Sequence, residues 1–300
     1  MAVDGGDNIH ATWADYNNGR IYYSRLNSGG LGWTTPKMVK AIASPVTPKI
    51  VVSTDNYVTI FYTAGTVAAE ADYYALTSTC AGETWTTYGG DGACAGYIGA
   101  CADGTGKVQV VYSLSDGARQ QIQYIKYTPS TGDWAGKTAL TADATGNQVY
   151  PDIAVDFNDT PHVSFVGRRN GDSGKLSLRY TDYVSGAWSA VQNLSTEATA
   201  DAAQSAIACA YDDNPLSGTY QRCYVMCAYR GYDAGGGGTN KYEIRYTTAY
   251  GAWTSWSAVA TISNTALAYD KQYPGFAYQR WPSWAMPKTG YSINYTLAMI

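Results

Sequence analysis

Residues 150–194 have the sequence YPDIAVDFNDTPHVSFVGRRNGDSGKLSLRYTDYVSGAWSAVQNL, which contains four short segments with the composition of β-strands. The segments, residues 152–157, 162–167, 176–181 and 188–194, are rich in β-branched and aromatic residues. The gaps between them hold the turn-forming residues Asn, Asp, Ser and Gly. Four antiparallel strands joined by turns, without helical periodicity, are typical of one blade of a β-propeller.

This unit recurs along the chain. Each copy has a third strand in which a Tyr precedes a small residue, and these tyrosines are Tyr23, Tyr74, Tyr127, Tyr180, Tyr246 and Tyr295. In the first five copies a Gly then comes shortly before a Trp, and these tryptophans are Trp33, Trp85, Trp134, Trp188 and Trp253. The period of roughly 50 residues is that of propeller blades, and we expect each Trp to pack between neighbouring blades.

We therefore predict an all-β fold, a single β-propeller domain of about six four-stranded blades. The blades are expected at approximately residues 1–42, 43–90, 91–143, 144–196, 197–263 and 264–300. The sixth copy stops before its Gly-Trp segment, so the last blade is expected to be incomplete. Because an unpaired edge strand attracts other strands, we expect either a fragment of a longer protein or homo-assembly through the open terminal blade.

Composition and charge exclude several classes of function. The chain has 28 Tyr, 9 Trp and 32 Gly, but only 15% charged residues and a net charge of −4. Nucleic-acid binding is not expected, because that function needs a basic surface. No apolar run approaches the roughly 18 residues of a membrane-spanning helix, so membrane insertion is not expected either. We predict neither a metal site nor a cofactor.

The six cysteines have no zinc-ligand spacing. Cys80 and Cys94 are candidates for one surface disulfide, and Cys209 is a candidate for a cross-strand disulfide with Cys223 or Cys227. The alternative is that the strand cysteines are small buried hydrophobic residues. Disulfides together with low charge would favour an extracellular or cell-surface protein.

The turn before each Trp resembles the Asp-box (BNR repeat) of sialidases, Ser-x-Asp-x-Gly-x-Thr-Trp. The copy with the most matches is residues 78–85, Ser-Thr-Cys-Ala-Gly-Glu-Thr-Trp, which has Cys at the Asp position. The other copies keep only Ser, Gly and Trp. The resemblance implies a six-bladed sialidase-like propeller with degenerate Asp-boxes.

Sialidase chemistry is not carried over with the fold. The family uses three Arg, a Tyr activated by a Glu, and an acidic Asp, and its first Arg lies in a Phe/Tyr-Arg-Ile-Pro-like motif that is absent here. Glu243 lies beside Tyr242 and Arg245, but strand alternation places Tyr242 on the opposite face. Arg25, Lys126, Arg179 and Arg245 recur on third strands and are predicted to be structural. We therefore assign no catalytic residue.

The two histidines occupy equivalent places in the repeat. His10 and His162 both begin second strands. Because the same residue type recurs at the same repeat position, we predict structural hydrogen bonds for both histidines rather than general base catalysis.

The loops between second and third strands, together with the links between blades, are predicted to form a recognition face. Aromatic rings beside amide and guanidinium donors suit sugars, which present apolar patches bordered by hydroxyls. The candidate ligand-binding residues are Asp15, Tyr16, Asn17, Arg119, Gln148, Tyr150, Arg168, Arg169, Asn170, Arg230, Tyr232, Gln272 and Tyr273. The alternative is that they are ordinary solvated loop residues.

The predicted function is that of a non-catalytic extracellular recognition propeller that binds a glycan or another surface ligand. One alternative is a self-assembling surface or filament subunit completed by strand sharing. The other is a sialidase-like glycoside hydrolase.

Overall fold

The computed structural model describes residues 1–30, 32–42, 48–64, 71–79, 82–94, 96–115, 117–143, 146–168, 174–197, 201–211, 223–233, 241–251 and 255–261. Every regular secondary-structure element in these ranges is a β-strand, which confirms the all-β prediction. No helix in the same ranges has the length and apolar character needed to cross a membrane.

The strands form five antiparallel sheets, one for each of the first five blades. Blade one contains β1 (Ala2–Val3), β2 (Ile9–Asp15), β3 (Arg20–Leu26) and β4 (Lys37–Ala41). Blade two contains β5 (Lys49–Val52), β6 (Tyr57–Ala64), β7 (Ala71–Thr79) and β8 (Thr86–Cys94). Blade three contains β9 (Ile98–Ala102), β10 (Val108–Ser115), β11 (Gln120–Thr128) and β12 (Asp133–Ala139).

Blades four and five follow the same order. Blade four contains β13 (Gln148–Val155), β14 (Pro161–Gly167) and β15 (Ser177–Val184), with its outer strand divided into β16 (Ala187–Trp188) and β17 (Gln192–Asn193). Blade five contains β18 (Ala203–Tyr211), β19 (Cys223–Asp233), β20 (Lys241–Tyr250) and β21 (Ala260–Thr261). The predicted sixth blade, and with it the question of how that blade is completed, lies outside the described residues.

The first strand of each blade lies innermost, as a propeller requires. Consecutive inner strands contact one another in the order β1, β5, β9, β13 and β18. An ion pair joins two of them, because Lys49 Nζ of blade two lies 2.9 Å from Asp152 Oδ1 of blade four. Gly99 of blade three lets the backbone pass close to this acid, since a Cβ at position 99 would lie 2.7 Å from Asp152 Cα.

Aromatic side chains fill the spaces between blades. In each of the following pairs the Trp belongs to one blade and the Tyr to the blade before it, with ring centroids 5.0, 5.1, 4.9 and 4.7 Å apart: Trp85–Tyr23, Trp134–Tyr73, Trp188–Tyr124 and Trp256–Tyr180. Aromatic pairs of this edge-to-face kind stabilise a core beyond the area that they bury. The repeat therefore encodes how consecutive blades stack.

Two of the five predicted Trp positions are not confirmed. In blade five the packing residue is Trp256, and the predicted Trp253 lies outside the described residues. Trp256 forms an antiparallel β-bridge with Ala249, and Trp33 forms the equivalent bridge with Leu26 in blade one. Trp33 itself is 48% exposed, and the predicted sixth blade, against which it was expected to pack, lies outside the described residues.

The turn between the first and second strands has the same conformation in four blades, and this repeat was not predicted from the sequence. Its fourth residue has a positive φ of 61°, 61°, 83° and 59° at Asp7, Asn56, Gly106 and Asp159 respectively. The amide of that residue donates to the carbonyl of the first, as from Asp7 to Asp4 and from Asp159 to Asp156. Asn, Asp and Gly are the residues that tolerate this left-handed conformation.

The seventh position of this turn is a histidine in two blades, His10 in blade one and His162 in blade four. His10 Nδ1 lies 2.7 Å from Tyr23 Oη, and His10 Nε2 lies 3.1 Å from Asp4 Oδ2. In blade four, His162 Nδ1 lies 2.6 Å from Tyr180 Oη. Both histidines are fully buried. Their predicted structural hydrogen bonds are therefore present in both blades.

The cross-strand disulfide of blade five is not formed. Cys209, Cys223 and Cys227 are free thiols, and so is Cys94, which ends β8, while Cys80 lies outside the described residues. The partner of Cys209 in the register is Val225, so both candidate cysteines are diagonal to it. The thiols of Cys209 and Cys223 contact each other across this diagonal without a bond between them.

Candidate functional site

The upper face of the propeller is defined here as the side that carries the loops between second and third strands and the links between blades. Two cavities of this face are lined by described residues. The blade-three cavity, about 290 Å³, is lined by Leu114, Arg119, Gln121, Gln123, Thr141, Ala142 and Asp143. The blade-five cavity, about 260 Å³, is lined by Asn193, Leu194, Ser195, Thr196, Glu197, Tyr229, Arg245 and Val259.

Blades four and five can be superimposed residue by residue around the blade-five cavity. Arg179 of β15 lies opposite Phe165 in the register, and Arg245 of β20 lies opposite Tyr229. The links that enter the two blades also correspond, since Asn147 and Asp201 each accept a backbone N–H from the preceding blade. Gln148 is therefore equivalent to Ala202, the next residue in each link.

In blade four this region is closed. Arg179 Nη1 donates to Asp143 Oδ2 at 2.5 Å and to Gln148 Oε1 at 2.9 Å. Its guanidinium also lies over the ring of Phe165, 5.6 Å from the centroid. Gln148 is fully buried and passes over Gly167, where a Cβ would collide with its amide. The side chain of Gln148 fills the space beside the arginine.

In blade five the same region is open. Ala202 replaces the glutamine, and Arg245 lies over Gly231, the equivalent of Gly167, where a Cβ would meet Arg245 Cδ at 2.7 Å. Arg245 Nη1 donates to Glu197 Oε2 at 3.3 Å, and the side chain is 21% exposed, against 6% for Arg179. Arg245 thus takes the place over Gly231 that Gln148 takes over Gly167 in blade four, and its guanidinium lines the blade-five cavity.

The floor of the blade-five cavity is a buried polar cluster. Tyr229 Oη donates to Glu197 Oε1 at 2.8 Å, and the side chain of Glu197 is 3% exposed. Glu243 lies behind the arginine, with Oε2 3.8 Å from Arg245 Nη2. Burial, followed by the nearby Glu197, raises the pKa of Tyr229 well above its ordinary value. Tyr229 is therefore a protonated hydrogen-bond donor and not an activated nucleophile.

The mouth of the cavity is more accessible. Asn193 and Thr196 are exposed, and Val259 is 38% exposed. An amide, a hydroxyl and an aliphatic side chain thus surround the opening, with Arg245 between the opening and the buried floor. This arrangement provides hydrogen-bond donors and acceptors beside one apolar contact, as a sugar ring requires.

Arg230 was predicted to bind ligand, but its neighbour Tyr229 is the residue that lines the cavity. Successive residues of a strand point to opposite faces, so Tyr229 reaches the cavity and Arg230 does not line it. Arg245 was predicted to be structural, yet it lines the cavity; Arg179, its equivalent, has the predicted structural role. Gln148 was predicted to bind ligand, but its complete burial makes it a structural residue.

Other predicted ligand-binding residues are spread around the upper face. Arg119 lines the blade-three cavity. Asp15 and Asn17 belong to the blade-one turn, where Tyr16 is 60% exposed and Asn18 Nδ2 donates to Asp15 Oδ2 at 2.7 Å. They do not line either of the two cavities described.

Tyr150 lies in the first strand of blade four, and Arg168 directly follows the second strand of that blade. Tyr150 has a φ of 53° and its ring packs on Tyr97, with centroids 4.2 Å apart. The backbone carbonyl of Arg168 accepts from Gln148 Nε2 at 2.7 Å. Arg169, Asn170, Gln272 and Tyr273 lie outside the described residues, as does the side chain of Tyr232.

Glycosidases use two carboxylates that face one pocket roughly 5–9.5 Å apart, and the described residues that line these two cavities include no such pair. Among the described lining residues, Glu197 is the one carboxylate of the blade-five cavity, and Asp143 is the one carboxylate of the blade-three cavity. The described part of the chain also contains no group of three or more His, Cys, Asp or Glu side chains placed to hold a metal.

Comparisons with known proteins identify the fold. No protein-family model matches the chain, and no curated protein matches it. Among solved structures, a protein of unknown function from Dyadobacter fermentans is 12% identical with a TM-score of 0.60, over 91% of this chain and 84% of that one. An ulvan lyase bound to a saccharide is 12% identical with a TM-score of 0.55, over 92% and 70% respectively.

A third similar structure is Trypanosoma rangeli sialidase in complex with sialic acid, 9% identical with a TM-score of 0.56. The match covers 93% of this chain and 50% of the sialidase chain. At such low identity these likenesses establish a shared architecture and no more. The fold of this chain is therefore the β-propeller that is also found in carbohydrate-active enzymes.

Proposed function

We propose that this chain is a non-catalytic, extracellular propeller that binds glycans, and that the blade-five cavity is its binding site. The observation that carries the proposal is the difference between two equivalent blades. Blade four closes its arginine–acid cluster with Gln148, whereas blade five has Ala202 and an open cavity above the same cluster. A region that is packed in one repeat and open in the next is a candidate for ligand binding.

The chemistry of the cavity supports a sugar. Glu197 and Tyr229 provide an acceptor and a hydroxyl at the floor, Arg245 provides N–H donors, and Val259 provides an apolar contact. The volume, about 260 Å³, lies near the lower end of small-molecule pockets, which measure roughly 300–1,000 Å³. A site of this size holds one terminal sugar residue of a longer glycan.

Two features support binding without catalysis. Among the described residues that line the cavity, Glu197 is the single carboxylate, where glycoside hydrolysis uses two. The pKa of Tyr229 is raised, so this tyrosine does not supply a nucleophilic oxygen near neutral pH. The ulvan lyase and the sialidase among the similar structures show that this architecture accommodates saccharides in other proteins.

The test is calorimetric titration of the protein with a panel of neutral and acidic oligosaccharides, repeated with Ala202→Gln. The substituted side chain copies Gln148, and because Arg245 already occupies the place over Gly231, the glutamine should displace the guanidinium toward the cavity, so binding should weaken at least tenfold. Ala202→Ser is the matched control, because it keeps the cavity open and should bind as the unsubstituted chain does. Binding that survives Ala202→Gln unchanged would place the glycan site elsewhere.

The same mixtures test the absence of catalysis. After prolonged incubation, chromatography should return every oligosaccharide intact. Cleavage that disappears in Glu197→Gln would instead support the glycoside hydrolase alternative.

A further inference from the structure

We infer that the blade-five cavity selects uncharged sugar residues and rejects anionic ones such as uronic acids, sialic acids and sulfated sugars. The inference rests on the proposed function and specifies the ligand class of the same site. It comes from the charge balance around Arg245.

Two carboxylates surround this one guanidinium. Arg245 Nη1 lies 3.3 Å from Glu197 Oε2, and Arg245 Nη2 lies 3.8 Å from Glu243 Oε2. The two acidic side chains are 3% and 5% exposed, so water screens their charges poorly. Among the described side chains the cluster therefore has two acids for one guanidinium, and Arg245 is the single cation among the described residues that line the cavity.

An anionic ligand meets an arginine that is already neutralised. To pair with Arg245, an incoming carboxylate would have to displace Glu197, which would leave this buried carboxylate without its ion pair, still accepting from Tyr229 Oη. Removing one partner of a buried ion pair is strongly unfavourable. The charge of Glu243, the second acid, adds repulsion within the same low-dielectric region.

A sugar hydroxyl meets no such conflict. It can accept a hydrogen bond from the guanidinium, which has five N–H donors, while the ion pair to Glu197 persists. It can also donate to a carboxylate oxygen, because each oxygen accepts more than one hydrogen bond. Hydroxyl groups can therefore add to the cluster without removing any bond that it already makes.

Blade four shows that the second acid is particular to the open blade. There Arg179 pairs with one acid, Asp143, and its second polar partner is the neutral Gln148. The position equivalent to Glu243 is Ser177, which lies opposite Gly167 as Glu243 lies opposite Gly231. The second acid thus occurs in the blade that has the cavity.

The experiment measures binding of two matched pairs of oligosaccharides, each differing only at C6 of the terminal residue. The probes end in galactose or galacturonic acid, and in glucose or glucuronic acid. At physiological salt, the better-binding neutral probe should bind at least tenfold more tightly than its acidic counterpart. Glu243→Gln removes the charge of the second acid without changing a lining residue, so the ratio should fall below threefold. Glu83→Gln, at an exposed glutamate in the turn between the third and fourth strands of blade two, is the control and should keep the wild-type ratio.

The wild-type ratio decides the inference even if a variant does not fold. Tighter or equal binding of the acidic probe would overturn the inference and leave glycan binding intact. Failure of the whole panel of oligosaccharides, neutral and acidic, to bind would overturn the proposed function together with it.

Discussion

Arg179 and Arg245 occupy the same position in consecutive blades, yet Arg179 is locked by Gln148 and Arg245 borders a cavity. The difference arises from a few side chains on an otherwise repeated backbone. In a repeat protein each blade uses equivalent residues for the same packing contacts. A position that departs from the repeat is therefore a candidate for a function other than packing.

The packing of consecutive blades predicts a contrast between two tryptophans. Trp256→Ala should lower the free energy of unfolding by about 3–5 kcal/mol, because it removes a ring that packs on Tyr180 at 4.7 Å. Trp33→Ala, at a position that is 48% exposed, should cost less than about 1.5 kcal/mol. Denaturant unfolding measures both. Equal losses would contradict the assignment of Trp256 as the packing residue of blade five.

The inner strands predict a steric requirement at Gly99. Gly99→Ala places a Cβ 2.7 Å from Asp152 Cα and 2.9 Å from the carbonyl oxygen of Pro151. Backbone atoms cannot move aside cheaply, so the unfolding free energy should fall by about 1–3 kcal/mol. Gly29→Ala is the control, because its Cβ would meet nothing within 4 Å. A neutral Gly99→Ala would show that the two inner strands are not in close contact.

The His10–Asp4 pair predicts a two-stage loss of stability in acid. Burial lowers the pKa of His10 below its ordinary value of 6.5, so protonation opposes folding and stability falls as the pH drops through that value. Burial alone would raise the pKa of Asp4, but hydrogen bonds from Asn8, His10 and Gly6 outweigh it and lower the pKa from 3.8 to about 2. A second loss should therefore occur between about pH 4 and pH 2.

Blade three supplies the control for the first stage. Gln109 occupies the equivalent turn position and donates to Asp103 Oδ2 at 2.5 Å without titrating. His10→Gln should therefore reduce the decline near pH 6 while preserving the stage between pH 4 and pH 2. Denaturant unfolding at a series of pH values measures both. An unchanged profile in His10→Gln would remove this histidine from the explanation.

The thiols predict the outcome of a redox experiment. Burial raises the pKa of Cys94 to about 12 and that of Cys209 well above its ordinary value, so neither is a reactive thiolate at neutral pH. Alkylation of the native protein should be slow at both residues. Alkylation after denaturation without reductant should modify Cys94, Cys209, Cys223 and Cys227, as mass spectrometry would show. If Cys209 and either Cys223 or Cys227 resisted alkylation, the predicted disulfide would be present after all.

The fold was predictable because its determinants repeat. The tyrosines of the third strands and the glycine–tryptophan turns recur with the period of a blade, and a repeated pattern needs no knowledge of long-range contacts. Trp253 and Trp256 both follow Gly251 closely in the sequence, and it is the strand register that places Trp256 opposite Ala249. The sixth blade stays a prediction.

The candidate site was less accessible to sequence reasoning. Loop position led to Arg230, whereas the cavity depends on Tyr229, one residue earlier on the opposite face of the strand. A signal did exist in the links between blades, where Leu-Thr-Ala-Asp at residues 140–143 corresponds to Leu-Ser-Thr-Glu at residues 194–197. That correspondence leads to Gln148 and Ala202, but it does not show that Arg245 takes the place that the glutamine has in blade four.

A crystal structure of the complex with the tightest-binding neutral oligosaccharide tests the central claim most directly. The account predicts one terminal sugar ring in the cavity between Ser195, Arg245 and Val259, with a hydroxyl within hydrogen-bond distance of the arginine and the ion pair to Glu197 intact. A saccharide in the blade-three cavity or on the opposite face, with the blade-five cavity empty, would contradict it.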